Sequence, residues 1–268
     1  MINKNFKVGL GIVLFLILVA LVSFFYTPHN IFSINSDKHF EAPSKEHLFG
    51  TDELGRDILS RVMVGTRVVF LVGFVSVFIG LVGGVLLGSL AGYFGGKVDT
   101  FIMHIMDALM SFPGILFALM IVSVFGEGIT NTMIALGILL IPSFGRITRS
   151  SMIRVKHETY IDMAKSLGVP PLRVIIHHML PNIVSPLIVA ASIGFATAIL
   201  SEASLSYLGL GVMPPFPSWG RMLRDAQQSM LNAPFYAIAP GVMITLAVLG
   251  FNLLGDGIDQ YLRDRRNE

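Results

Sequence analysis

The feature that most constrains this chain is a series of long apolar runs without charge. The longest, residues 68–92, contains no ionisable side chain. A bilayer core is ~30 Å thick, so a helix needs roughly 20 mostly apolar residues to cross it. Segments that meet or approach this length are 8–26, 68–92, 100–124, 128–145, 182–201 and 235–255. Because backbone polar groups inside a bilayer must be satisfied within the segment, these runs predict an all-α integral membrane protein with about six transmembrane helices.

The composition excludes several functional classes. Charged residues make up 13% and hydrophobic residues 53% of the 268 residues, and the mean hydropathy is +0.73. Soluble domains carry roughly 25% charged residues, so an ordinary soluble enzyme and a disordered chain are both excluded. The net charge of +2 is too small to indicate nucleic-acid binding. Because the chain has no cysteine, a disulfide scaffold and a thiol nucleophile are also excluded.

The distribution of Lys and Arg predicts the orientation. Six spans place both termini on one side, and that side carries twelve of the 19 basic residues, with the densest cluster at 146–181. By the positive-inside rule, we expect both termini in the cytoplasm. We expect the chain itself in the plasma or inner membrane of the cell. Lys4 and Lys7 before an apolar run would also suit a cleaved signal peptide. The run ends in three aromatic residues at 24–26 rather than in small residues, which favours a retained helix.

The inner loop at 146–181 carries the most informative pattern. Ala164, Leu167 and Gly168 follow Tyr160 by four, seven and eight residues, which predicts that all four lie on one face of a short helix. The small residues Ala164 and Gly168 would let another protein approach the backbone closely on this face. The same spacing also suits an amphipathic helix lying on lipid headgroups, so periodicity alone leaves both interpretations open.

This loop resembles the EAA loop of binding-protein-dependent ABC importer permeases. The resemblance is carried by residues 162–164, Gly168, Leu180 and Pro181. The sequence departs from that motif at Asp162, Met163 and His178, where the family usually has Glu, Ala and an aliphatic residue. In that family the loop forms a cytoplasmic coupling helix, which seats in a groove of a separate ATPase.

Four further segments resemble the dipeptide, oligopeptide and nickel branch of the family, specifically its second, C-type permease subunit. They are residues 47–57, 107–113, 202–211 and 252–256. Together with the loop they follow the family's order over about residues 47–257. The resemblance implies a type I ABC importer permease fold. It also implies an N-terminal helix plus external segment at 1–67, a core of five transmembrane helices at 68–257 and a cytoplasmic tail at 258–268.

The resemblance further implies a non-catalytic permease subunit of an ATP-driven importer for peptides or nickel chelates. Such a subunit forms a heterodimer with a second permease, couples to two cytoplasmic ATPase subunits and receives substrate from an external binding protein. The coupling residues it implies are Tyr160, Asp162, Ala164, Leu167, Gly168, Leu180 and Pro181. The chain has no Walker A motif, so ATP and Mg²⁺ are expected on the partner ATPases. No cofactor or metal is expected on this chain.

Two other functional classes are alternatives to the importer. An ion- or proton-coupled secondary transporter would need coupling acids near the middle of the membrane, and Asp107 is the one acid within a hydrophobic run that resembles such a group. A membrane-embedded hydrolase would need a nucleophile or metal set within the spans, and the sequence suggests none. The methionines near His104 are interpreted as core packing, because thioethers are poor ligands for nickel.

Several residues within the spans and outer loops have two interpretations. Gly80, Gly84, Gly88 and Gly92 recur every four residues, which predicts close helix packing within the chain or against a partner permease, with a gating hinge as a second possibility. Asp107 and Glu202 are assigned a pathway-lining or a structural role.

Two expectations concern the outer loops. Trp219 is expected either at the membrane–water boundary or in contact with the external binding protein. Arg56 is expected to be held in a turn by the flanking carboxylates of Asp52 and Asp57.

Overall fold

The computed structural model describes residues 4–267, apart from the side chains of residues 263 and 265–267, and this part of the chain is predominantly helical. Residues 1–3 of the predicted N-terminal segment and residue 268 of the predicted tail lie outside the described residues. The α-helices are α1 (Lys4–Phe25), α2 (Ile58–Phe94), α3 (Gly96–Met110), α4 (Gly114–Phe125), α5 (Ile129–Lys156), α6 (Thr159–Ser166), α7 (Pro171–Arg173), α8 (Val184–Leu208), α9 (Trp219–Ala226) and α10 (Pro234–Asn267).

The predicted number of spans is confirmed. Among the described residues, five helical segments are long and apolar enough to cross a membrane, and the bent pair α3–α4 makes a sixth if it is counted as one span. One of the five is Pro171–Leu208, in which a π-helical turn (Val174–Met179) and a 3₁₀ turn (Leu180–Ile183) join α7 to α8. The predicted tail continues α10 as far as Asn267.

The third predicted span is not one straight helix, as the apolar run suggested. The axes of α3 and α4 differ by 86° across the break at residues 111–113. Pro113 precedes the first residue of α4. Proline lacks an N–H group and disfavours the helical conformation of the residue before it, so α3 cannot continue through this point.

The glycine stripe of α2 packs against α5 of the same chain. A Cβ atom at Gly80 would lie 2.6 Å from the Leu140 Cβ, one at Gly84 would lie 2.8 Å from the Gly145 backbone nitrogen, and one at Gly88 would lie 2.7 Å from the Thr148 Cβ. Gly92 continues the stripe against Met152. Of the sequence interpretations, the structure therefore has the packing contact within the chain, and the absent side chains let the two backbones approach closely.

The N-terminal helix packs along the last helix. Gly9 lies against the backbone of Leu254, and a Cβ at Gly257 would be 2.6 Å from the Phe6 Cα. These contacts make α1 part of the helix bundle.

The segment between α1 and α2 forms a cap together with α9. Asp52 holds the turn before α2: its Oδ2 accepts from Arg56 Nε at 2.7 Å, and its Oδ1 accepts from the Leu54 and Arg56 backbone N–H groups, each at 2.9 Å. The predicted pairing of Arg56 with a carboxylate is therefore present through Asp52. The second predicted carboxylate, Asp57, instead caps α2, with Oδ2 accepting from the Ser60 backbone N–H at 2.8 Å.

Both expectations for Trp219 were wrong. The residue is 0% exposed, and its indole Nε1–H donates to the Val62 carbonyl oxygen at 3.1 Å. It packs in a core cluster with Ile58, Tyr236 and Met243. Because a buried indole N–H needs an acceptor, Trp219 fastens α9 to α2 within the chain rather than contacting lipid or a partner.

Candidate functional site

The predicted short helix of the inner loop is present as α6. It follows α5 after a turn at residues 157–158 and is closed by Gly168, which has φ +75°. The Gly168 N–H donates to the Lys165 carbonyl at 2.9 Å and the Val169 N–H donates to the Ala164 carbonyl at 3.1 Å. This is a Schellman motif, in which glycine takes the left-handed conformation without a Cβ penalty. Gly168 therefore has a local reason for being glycine.

One face of α6 is buried against the chain itself. Ile161 and Ala164 pack into a cluster with Met152, Val155 and Val174. The prediction that another protein approaches the backbone at Ala164 and Gly168 is therefore wrong for Ala164, which faces inward. Ile161 and Ala164, three residues apart, share a helical face, and apolar residues of α5 and the π-helical turn cover that face.

The opposite face of α6 is apolar and exposed. Tyr160, Met163 and Leu167 are exposed, Leu167 to 81%. Met163, which replaces the alanine of the motif, belongs to this surface. Partial desolvation of the ring and the nearby carboxylate of Glu158 raise the pKa of Tyr160, so its hydroxyl stays neutral at physiological pH. We call Tyr160, Met163 and Leu167 the outer face of α6.

Charged residues flank this face. Asp162 and Lys165 form an ion pair at 3.2 Å, and the Asp162 side chain is largely exposed. Lys156, at the end of α5, donates to the Tyr93 carbonyl oxygen at 2.6 Å, which ties the start of this loop to the end of α2. The outer face of α6 is thus an apolar patch with charged residues at its edge, on a loop that is anchored to the rest of the chain.

Two further predicted coupling residues lie beyond the helix. Leu180 is half-buried against the same cluster that holds Ile161, and Pro181 is exposed in the 3₁₀ turn. Leu172 and Ile176 add exposed apolar surface to this end of the bundle. Sequence reasoning did not single out these two residues, although two large apolar side chains four residues apart in a loop predicted to be cytoplasmic were a usable signal.

Asp107 forms an ion pair with another helix. Its Oδ1 accepts from Arg146 Nη2 of α5 at 2.6 Å, and both side chains are about half-exposed. Near the start of α3, Asp99 pairs with Arg149 in the same way, with 2.6 Å between Oδ2 and Nη2. The two ion pairs join α3 to α5.

Glu202 lies inside the chain. It is fully buried and accepts from the Ser206 hydroxyl at 2.6 Å. The same hydroxyl accepts from the Val212 backbone N–H at 3.1 Å. These hydrogen bonds hold the turn that follows α8. The side chain of Glu202 therefore has a structural role in this chain and is not exposed to a solute.

The family model described as binding-protein-dependent transport system inner membrane component matches residues 84–268. The chain belongs to this family. The match includes α5, α6 and the segment up to Pro181, so the outer face of α6 lies within the family's shared region.

Relatives of this permease cover nearly all of it. A dipeptide transport system permease protein of Alkalihalophilus pseudofirmus is 43% identical over 96% of this chain and 84% of its own length. A glutathione transport system permease protein of Pectobacterium atrosepticum is 42% identical over 96% of this chain and 86% of its own length. The permease is therefore a member of the dipeptide and oligopeptide branch of ABC importer permeases.

The fold agrees with a solved structure. An inward-facing form of the MetNI methionine ABC transporter superposes with a TM-score of 0.59 at 20% identity, covering 74% of this chain and 93% of the matched chain. This confirms the type I ABC importer permease fold. The family and the apolar helices together make the chain a multi-pass membrane protein and a permease subunit of an ABC importer, which replaces the alternative of a secondary transporter.

Proposed function

We propose that this permease imports short peptides, driven by ATP hydrolysis on two separate cytoplasmic ATPase subunits to which it couples through α6. The observation that carries the proposal is the outer face of α6, where Tyr160, Met163 and Leu167 are exposed on a helix whose other side is locked into the core. Exposed apolar residues grouped on a rigid element, rimmed by charge, are typical of a protein-binding surface.

The contacts of α6 favour docking to a protein over lying on lipid headgroups. An interfacial membrane helix carries Lys and Arg on its polar face. The residues flanking the outer face of α6 include the acidic Glu158 and Asp162, and Lys165 is paired with Asp162 at 3.2 Å. Acidic groups would be repelled by an anionic leaflet, whereas they can meet basic residues of a protein partner.

The proposed coupling is mechanical. Closure of the ATPases on ATP would displace α6, and α6 would carry α5 with it through Ile161 and Ala164. The spans would then move between inward-open and outward-open arrangements, in a two-state transition of packed elements. In this proposal the chain pairs with a second permease subunit to enclose the path and receives substrate from an external binding protein. It binds no cofactor itself, and ATP and Mg²⁺ stay on the ATPases.

Short peptides are the favoured substrate because relatives of more than 40% identity over nearly the whole chain are named for dipeptide and glutathione transport. Nickel chelates were an equal alternative on sequence grounds and have no such support. Uptake of a labelled dipeptide, of glutathione and of a nickel chelate by proteoliposomes containing the complete importer separates these substrates.

The coupling site is tested by placing a charge on the outer face. Leu167→Glu should reduce copurification of the ATPase subunits and ATP-driven uptake by about tenfold or more, because a buried unpaired carboxylate costs several kcal/mol at an interface. The matched control is Leu231→Glu. Leu231 is 97% exposed and lies just before α10, at the opposite end of the bundle.

Both variants should insert and purify normally. If Leu167→Glu keeps its ATPases and transports at the wild-type rate, α6 is not the coupling site. If the control loses ATPases equally, the effect of the charge is not local, and the assignment to α6 also fails.

A further inference from the structure

Three side chains that commonly bind metals meet in the cap, at the end of the bundle away from α6. His29 follows α1, His47 lies in the connecting segment, and Asp57 caps α2. The His47 Nδ1 atom is 2.9 Å from Asp57 Oδ1, and the His29 Nδ1 atom is 3.6 Å from the same oxygen. One ligand atom from each residue lies within 4.8 Å of the others.

The ligand atoms of these three side chains are largely shielded from solvent. Asp57 and His47 are buried, while the side chain of His29 is 35% exposed. The His29 Nδ1 atom itself is buried and has no hydrogen-bond partner among the described residues. The two imidazole rings are 4.5 Å apart between centroids and tilted by 36°. A hydrogen bond between His47 and Asp57 accounts for one imidazole, but it leaves a second one aimed at the same carboxylate oxygen.

Ser60 holds the carboxylate in a fixed orientation. Asp57 Oδ2 accepts from the Ser60 hydroxyl at 2.6 Å and from its backbone N–H at 2.8 Å. The Ser60 hydroxyl in turn accepts from the His29 backbone N–H at 2.9 Å. Oδ2 is therefore committed to α2, and Oδ1 is left for the two imidazoles. Outer hydrogen bonds of this kind commonly orient the ligands of metal sites.

We propose that His29, His47 and Asp57 bind a borderline divalent cation such as Zn²⁺. Two neutral imidazoles and one carboxylate are a donor set that suits Zn²⁺. With bonds of about 2.0–2.1 Å, tetrahedral ligand atoms are about 3.3 Å apart. The separations from Asp57 Oδ1, 2.9 and 3.6 Å, lie on either side of this length.

The cluster lies beside a cavity. His29 also lines a cavity of about 610 Å³ between the end of α1 and α2, which is open to the outside of the chain and whose wall includes Thr27 and Asn30. A zinc site with three protein ligands takes water or another small ligand in its fourth position, and in this proposal that ligand would come from the cavity.

Metal binding would join three points of the chain. The ion would fix residue 29, after α1, and residue 47, in the connecting segment, to the first turn of α2. Because the ion binds the folded cap and not the separated ligands, it should raise thermal stability in proportion to its affinity.

The test measures metal binding by the full-length chain purified in detergent with chelator and then dialysed. Co²⁺, which substitutes for Zn²⁺ and absorbs visible light strongly when tetrahedral, is titrated and then displaced by Zn²⁺. We expect one Co²⁺ per chain. We also expect His29→Ala to weaken binding at least about tenfold, a loss in the range seen when metal sites are perturbed.

Two variants make the result specific. His39→Ala, an exposed histidine of the same segment, should bind Co²⁺ as wild type does. Ser60→Ala should weaken binding about tenfold by freeing the carboxylate. His29 is chosen for the main variant because it is partly exposed and its loss should leave the chain folded.

Absence of Co²⁺ absorption in the folded wild-type chain would overturn the proposal. So would equal binding by wild type and His29→Ala, since the ion would then lie elsewhere. Neither outcome affects the proposed coupling through α6, because the readout is metal binding rather than transport.

Discussion

At the scale of single residues, the most informative group is the charged cluster that α9 forms with the segment before α2. Asp225 forms an ion pair with Arg221 at 2.9 Å and lies near Arg56 and Arg61. Burial nevertheless raises the pKa of Asp225 above its ordinary value of 3.8, against the lowering effect of these guanidinium groups. The folded cap therefore binds a proton at this carboxyl more readily than the unfolded chain does.

This predicts how stability varies with pH. A carboxyl whose pKa is raised by folding costs stability while it is ionised in both states, and the cost is relieved as pH falls through the raised pKa toward 3.8. Asp225→Asn should remove this contribution, so the rise in melting temperature between neutral and mildly acidic pH should shrink.

Thermal unfolding of the purified chain across pH measures the effect. Asp37→Asn, in the exposed turn Ser36–Lys38, is the matched control and should leave the pH profile unchanged. An unchanged profile in Asp225→Asn would contradict the assignment.

At the scale of helices, the contact between α2 and α5 depends on the glycine stripe. Gly84→Ala would place a Cβ 2.8 Å from the Gly145 backbone nitrogen and 2.9 Å from the Ile141 carbonyl oxygen. Neither atom can move without shifting a helix, so we expect a loss of about 1–3 kcal/mol in the free energy of unfolding, the usual cost of overpacking.

The control for Gly84→Ala is Gly11→Ala. A Cβ at Gly11 meets nothing within 4 Å, so this variant should be unchanged or slightly more stable. Detergent-resistance and thermal-unfolding assays compare the two, and equal behaviour would mean that the α2–α5 contact tolerates side chains.

The helices also show what a sequence can predict. Charge-free length located each span, because crossing a bilayer is a local demand on composition. Charge-free length missed the first turns of α2, which contain the buried Arg61. The Arg61 Nε atom lies 3.5 Å from Asp52 Oδ2, and this partner is supplied by the folded cap. The orientation of Ala164 was missed for the same reason: periodicity defines a face, but residues elsewhere in the chain decide whether that face is covered.

The cluster of His29, His47 and Asp57 could not be predicted either. Its members follow no metal-binding spacing, and only the return of the connecting segment to the start of α2 brings them together. By contrast, the carboxylate turn at Arg56 was predictable, because its partner Asp52 lies four residues away.

At the scale of the whole molecule, the chain has two ends with different characters. One end carries α6, and the other carries the cap and Leu231. The natural absence of cysteine makes their placement across the membrane directly testable. Leu167→Cys and Leu231→Cys each introduce a single thiol at a side chain exposed to 81% and 97%, respectively.

With α6 in the cytoplasm, a membrane-impermeant maleimide should label Leu231→Cys in intact spheroplasts. It should label Leu167→Cys only after the membrane is permeabilised. The cysteine-free parent is the background control. The reverse pattern of labelling would contradict the predicted orientation and the coupling role of α6 together.

The row of missing side chains between α2 and α5 has a mechanical consequence. From Gly80 to Gly92 the two helices approach so closely that one has little room to shift against the other. In the proposed coupling, a displacement of the short helix beyond α5 would therefore pass along both helices toward the cap at the other end of the bundle.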